Sequence, residues 1–129
     1  MNHKWLFRIA SLWNLGLALP VGAFPGYMLG LFGMPLEMTY PVFFYQFLAL
    51  VGAFGIGYYW VSTDPAGNRA IIRLGILGKM VVFLTGLYWF IKGPQNGGCS
   101  WQVTILFAVD LVFAVWFMIT LRSLNVSEQ

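Results

Sequence analysis

The chain has 129 residues, 60% of them hydrophobic and only 9% charged, with a formal net charge of +3 and a mean hydropathy of +0.77. A soluble domain is roughly 25% charged, so this composition argues against a soluble globule and for a membrane protein. The small positive charge does not point to nucleic acid, because no basic stripe is interleaved with exposed aromatics.

Four apolar segments succeed one another, at residues 5–21, 40–61, 71–91 and 101–121. Each approaches the ~20 residues that a helix rising ~1.5 Å per residue needs to cross ~30 Å of hydrocarbon. The expected fold is all-α, a four-helix transmembrane bundle forming one domain over residues 1–129, with too little chain left for a soluble domain.

The first segment lies in "MNHKWLFRIASLWNLGLALPVGAF". Lys4 and Arg8 ahead of an apolar run, with small residues at Val21-Gly22-Ala23, resemble a signal peptide. Cleavage would leave three spans, so the segment is read as the first transmembrane helix. On it Asn14 stands four residues from both Ala10 and Ala18, a small and polar stripe expected to face inward.

The loop "FPGYMLGLFGMPLEMTYP", residues 24–41, is apolar but broken by Gly26, Gly30, Gly33 and three prolines. It cannot span, and the expectation is a short amphipathic helix or re-entrant turn at the outer interface. Phe24, Tyr27, Leu31 and Phe32 would hold it against the outer ends of the helices. A lid over the bundle mouth is the alternative.

The second segment carries Gln46 near its outer end and "GAFGIG" further on, with Gly52, Ala53, Gly55 and Gly57, small residues that let backbones approach closely. In "STDPAGNR", Asp64 is expected to cap the third helix with Pro65 at its first position. "GPQNGGCS" reads as a flexible outer turn.

The third segment contains "LGILGKMVVFLTGLYWF", whose one charge, Lys79, sits among Gly, Leu, Val and Phe. It lies six positions past Arg73, ~9 Å deeper. In the fourth segment Asp110 stands twelve positions before Arg122, ~18 Å from that boundary. Consecutive helices joined by a short loop are antiparallel neighbours. Counted from the outer side, Lys79 is thirteen positions before Lys92 and Asp110 ten after Ser100, a difference of ~4.5 Å that a lysine stem covers. A Lys79–Asp110 ion pair is therefore expected. Gly75, Gly78 and Gly86 on the same helix read as packing positions.

Orientation follows from the cations. Lys4, Arg8, Arg69, Arg73 and Arg122 fall on one side, whereas the first loop has neither Lys nor Arg and the third only Lys92. The positive-inside rule puts both termini in the cytoplasm. Aromatics agree in depth: Trp5, Tyr58-Tyr59-Trp60 and Trp116 would mark the inner interface, and Tyr40, Trp89 and Trp101 the outer one.

Catalytic constellations are not found. His3 is the only histidine and Cys99 the only cysteine, at opposite predicted faces, so no Cys/His nucleophile, Cys/His metal cluster or bis-histidine haem site is expected. A single cysteine allows no internal disulfide, though Cys99 could link two copies. The glycines lie in apolar helices, not in a phosphate-binding loop. No cofactor and no metal are expected, and the chain is not read as an enzyme.

"GIGYYWVSTDPAGNRAIIRLGILGK" and "VDLVFAVWFMITL" resemble small bacterial membrane proteins with four predicted spans. The match rests on Tyr58, Asp64, Pro65, Arg69, Gly75, Lys79, Asp110 and Phe113, and "LWNLGLALP" follows more loosely. The chain is also similar to DoxX-like four-helix proteins. The first resemblance implies fold class and a bacterial inner membrane, the second implies fold class only, and neither implies an activity.

Two function classes remain. One is a non-catalytic membrane module that binds a partner membrane protein, a lipid or a quinone-like molecule on faces rich in Phe and Gly, with Gly52, Gly55, Gly75, Gly78 and Phe113 as the candidate face. The other is a small oligomeric transporter or channel using Lys79 and Asp110 as a charge-coupled site. The first is preferred, because a pore needs polar residues along its length and this chain gathers Asn14, Lys79 and Asp110 in one zone.

Overall fold

The computed structural model describes residues 3–34, 41–93, 95 and 100–126. Among the described residues five helices form: α1 Lys4–Ala23, α2 Pro25–Leu31, α3 Pro41–Thr63, α4 Arg69–Lys92 and α5 Trp101–Val126. Among the described residues, four of them, α1, α3, α4 and α5, are long and apolar enough to cross a membrane. Residues 35–40 of the expected first loop, the helix start at Tyr40, most of the outer turn "GPQNGGCS" and Cys99 lie outside the described residues.

The helices fall into two compact units. The first holds α1, α2 and α3 with the start of α4. In it α1 and α3 run antiparallel at close range, because small residues remove the side chains that would separate them. A β-carbon added at Gly22 would lie 3.7 Å from Leu48, one at Gly52 3.8 Å from the Ala18 Cβ, and one at Gly55 only 2.8 Å from the Leu15 Cγ. As the contact moves up α3 it moves down α1.

Pro20 does not end α1. It removes one backbone donor, but the helix continues to Ala23, where the Phe24 N–H bonds back to the Pro20 carbonyl at 2.8 Å. The first loop then folds as the short helix α2, initiated by Pro25 at a position where its missing N–H costs nothing. Leu29 is its buried residue, whereas Phe24, Tyr27 and Leu31 are exposed.

The α3–α4 connection corrects the expected helix start. Asp64 does not cap α4, and Pro65 is not its first residue, since residues 65–68 form a turn and the helix begins at Arg69. The Asp64 Oδ1 accepts the Gly67 N–H at 3.0 Å and its carbonyl accepts the Asn68 side-chain amide at 2.8 Å. The carboxylate thus makes an N-cap-like bond to the third residue on, but it closes only the isolated turn 65–68 and not the start of α4. Upstream, Ser62 Oγ donates to the Tyr59 carbonyl at 2.6 Å and Thr63 Oγ1 to the Trp60 carbonyl at 2.7 Å, completing the last turn of α3.

The second unit holds residues 32–34, α4 from Ile72 onward, and α5. Gly93 ends α4 in the left-handed region at φ +74°, and its N–H reaches the Phe90 carbonyl at 3.0 Å. Ser100 starts α5: its Oγ accepts the Val103 N–H at 3.5 Å and donates to the Phe32 carbonyl at 2.7 Å. Gly33, at φ +67°, sits where a β-carbon would come 3.2 Å from the Gln102 amide. The short stretch after α2 is thereby tied to the first turn of α5.

Of the rings expected to mark the interfaces, Tyr40 lies outside the described residues and Tyr58 departs from the expectation. Trp5, Tyr59, Trp60, Trp89, Trp101 and Trp116 are exposed, but Tyr58 is 1% exposed. Tyr58 is a core residue, its ring 6.0 Å from that of Phe54. Adjacent residues on a helix point about 100° apart, so three consecutive rings cannot share one surface.

Candidate functional site: a buried ion pair in the α4–α5 unit

On α4 the buried residues are Ile72, Gly75, Lys79 and Gly86. Their spacings of three, four and seven place them on one face. On α5 the buried set is Val103, Phe113, Ala114, Phe117 and Thr120, again one face. Two contacts fix how these faces meet. A β-carbon at Gly86 would overlap the ring of Phe107, and the Lys79 ammonium reaches Asp110 and Phe113. Descending α4 is ascending α5, so the pair is antiparallel.

Lys79 Nζ donates to Asp110 Oδ1 at 2.5 Å, with the lysine side chain 5% and the aspartate side chain 17% exposed. The same ammonium lies 4.9 Å from the centroid of the Phe113 ring. Phe113 in turn stands 6.1 Å from the Phe117 ring. Lys79 is ten residues from the start of α4, ~15 Å along its axis. Asp110 is nine residues from the start of α5, ~14 Å along.

Isolated charges at such depth cost ~2.5–3.5 kcal/mol each on insertion scales. Pairing, together with the negative face of the Phe113 ring, offsets much of that cost. Chemically, the arrangement holds a cation in a covered position and an anion in a partly open one.

The other anticipated residues distribute as follows. Asn14 is buried on α1 between Ala10 and Ala18 and donates through Nδ2 to the Val51 carbonyl of α3 at 3.2 Å. This polar contact belongs to the first unit, whereas Lys79 and Asp110 belong to the second. Gly55 and Gly75 are buried, and Gly52 and Gly78 are half-buried. Phe113 is buried beside the ammonium and is thus part of the ion-pair site. Gln46 is exposed on α3.

Several residues of the site carry no distinctive mark in the sequence. Phe107 is one of twelve phenylalanines, yet it fills the space opened by Gly86. Thr120 is fully buried, and its Oγ1 has no hydrogen-bond partner among the described residues. Ser100 had a readable signal, a hydroxyl directly before an apolar run. Its bond to Phe32, 68 residues away, had none.

Among the described residues no group of three or more His, Cys, Asp or Glu side chains gathers to hold a metal ion. His3 stands before α1, where burial and, secondarily, the positive amino terminus hold its imidazole below the usual range. Comparison of the chain with protein-family models, with curated proteins and with solved structures gives no match.

Proposed function

We propose that this protein is a non-catalytic integral membrane module whose four long helices form a bundle in a bacterial inner membrane. Both termini face the cytoplasm, and the helix faces bind a hydrophobic molecule, a lipid or quinone-like ligand, or a partner membrane protein. The observation that carries this reading is the internal settlement of the charges. Lys79 and Asp110 satisfy each other at 2.5 Å, while the long helices expose Leu12, Leu50, Leu77, Leu84 and Ile119. A chain that neutralises its own deep charges and presents apolar side chains outward meets other apolar molecules by packing.

The topology rests on the distribution of Lys and Arg. Cysteine labelling of intact cells tests it: a residue introduced at Gly67 stays unlabelled from outside, whereas Cys99 is labelled. The reverse pattern overturns the orientation. The binding reading is tested by isolating the protein in native lipid particles and identifying what copurifies. A stoichiometric hydrophobic molecule or protein is expected. Bulk lipid in membrane proportion would argue against both.

The transporter reading draws on a separate observation, the 17% exposure of the Asp110 side chain, which keeps one charge of the pair open to a mobile ion. Reconstitution into vesicles with a pH-sensitive dye tests it. A flux abolished by Lys79→Met with Asp110→Leu would favour it.

A further inference from the structure

The two halves of the ion pair are unequally covered. Lys79 is 5% exposed and Asp110 17%, and the ammonium is engaged both by Asp110 Oδ1 and by the face of Phe113. What the pair offers outward is therefore its carboxylate. A carboxylate is an acceptor with two oxygens and about four lone-pair sites, and the bond to Lys79 uses Oδ1. An open carboxylate edge ~14 Å along a membrane-spanning helix costs energy unless a donor covers it.

We propose that the exposed edge of Asp110 accepts a hydrogen bond from the hydroxyl of a neutral apolar molecule, so that the pair is a docking point for hydroxyl-bearing lipids. The proposal rests on the hydrophobic-ligand reading above and narrows its ligand class. The charge arrangement decides the narrowing. Phosphate and carboxylate headgroups need a cation, and the cation that the described residues place beside Asp110, Lys79, is covered and already neutralised. A second cation would leave the site with net charge in hydrocarbon, which is expensive. A neutral hydroxyl donates without adding charge, and a bond to an ionised acceptor is among the stronger ones. One turn before Asp110 stands the half-buried Leu106, which suits an apolar body, whereas Phe113 and Ala114 one turn after it are buried. A diacylglycerol and an isoprenoid alcohol share this chemistry.

The test uses the full chain in phosphatidylcholine nanodiscs, with binding followed by native mass spectrometry. The probes are dioctanoylglycerol and its methyl ether, geranylgeraniol and its methyl ether, and dioctanoyl phosphatidic acid. At least one alcohol is expected to bind about ten-fold more tightly than its ether, the scale of one hydrogen bond to a charged group. Which alcohol discriminates identifies the source. The Lys79→Met, Asp110→Leu double variant should bind alcohol and ether alike. Carbon-13 aspartate labelling in an Asp64→Asn background supplies a readout that needs no folded double variant: the Asp110 carboxylate bands should shift with the alcohol and not with the ether.

Equal binding of alcohol and ether to the unmodified chain, or tighter binding of phosphatidic acid, overturns the donor proposal and leaves the hydrophobic-ligand reading standing. Binding of no probe, with unmoved carboxylate bands, overturns both. A dimer that forms only with Asp110 present would mean that a second copy covers the carboxylate, and the proposal falls.

Discussion

Replacing either member of the Lys79–Asp110 pair should cost far more stability than replacing both. Asp110→Leu strands an ammonium that is 5% exposed, and removal of one partner from a buried pair costs ~3–5 kcal/mol. The Phe113 ring, 4.9 Å away, offsets up to ~2 kcal/mol of that. Lys79→Met strands a carboxylate that is 17% exposed, but exposure in the middle of a membrane span brings no water, so its cost should fall in the same ~3–5 kcal/mol range. The double variant removes both charges and leaves apolar groups of similar bulk, a change that is often neutral. A coupling energy of at least ~2 kcal/mol is thus expected, against additivity within ~0.5 kcal/mol for independent sites. Equilibrium unfolding by sodium dodecyl sulfate in mixed micelles measures all four species of the cycle. Additive losses would show that the two charges are not energetic partners.

Gly86→Ala places a methyl group into the Phe107 ring and should destabilise by ~1–3 kcal/mol, the usual cost of overpacking, with partial recovery in a Phe107→Leu background on the same titration. Gly55→Ala brings a carbon to 2.8 Å from Leu15 Cγ and 3.2 Å from Asn14 Cβ, so a loss of similar size is expected in the α1–α3 unit. Asn14→Leu removes the 3.2 Å bond to the Val51 carbonyl and should cost ~0.6–1.7 kcal/mol, the range measured for bonds between membrane helices. Ser100→Ala removes the 2.7 Å bond to the Phe32 carbonyl and should speed amide exchange across residues 32–34 by hydrogen–deuterium exchange, while exchange in the middle of α4 stays as it was.

The four long apolar helices were legible because hydrocarbon imposes a length and a composition that few other structures need. The ion pair was legible for a related reason: charge is so scarce in this chain that two deep charges on consecutive helices leave few alternatives. Asn14 was readable from its two alanine neighbours. The boundary at Arg69 was not, because Asp64 can cap either a helix or a turn: its bond to the Gly67 N–H is one that both would make. Tyr58 was misread as an interface ring because a run of three aromatics looks uniform in sequence, while helical rotation sends one of them into the core. Phe107 was invisible, since its importance comes from Gly86, 21 residues away in sequence; Phe32 was named for its ring, whereas the contact with Ser100, 68 residues away, is made by its carbonyl.

The ion pair and the glycine contact act on the same helix pair by different physics. Gly86 against Phe107 is a matter of shape: it sets how near the backbones of α4 and α5 come, but a smooth apolar face tolerates rotation and sliding. Lys79 against Asp110 is a matter of charge, and a slide of one helical turn, ~5.4 Å, would break it and strand both groups in hydrocarbon. Shape alone would hold α4 and α5 close, and charge alone would hold them in register but loosely. Their separation along α4, seven residues from Lys79 to Gly86, is two helical turns on one face. The two contacts therefore clamp the helix pair at two heights, one by shape and one by charge.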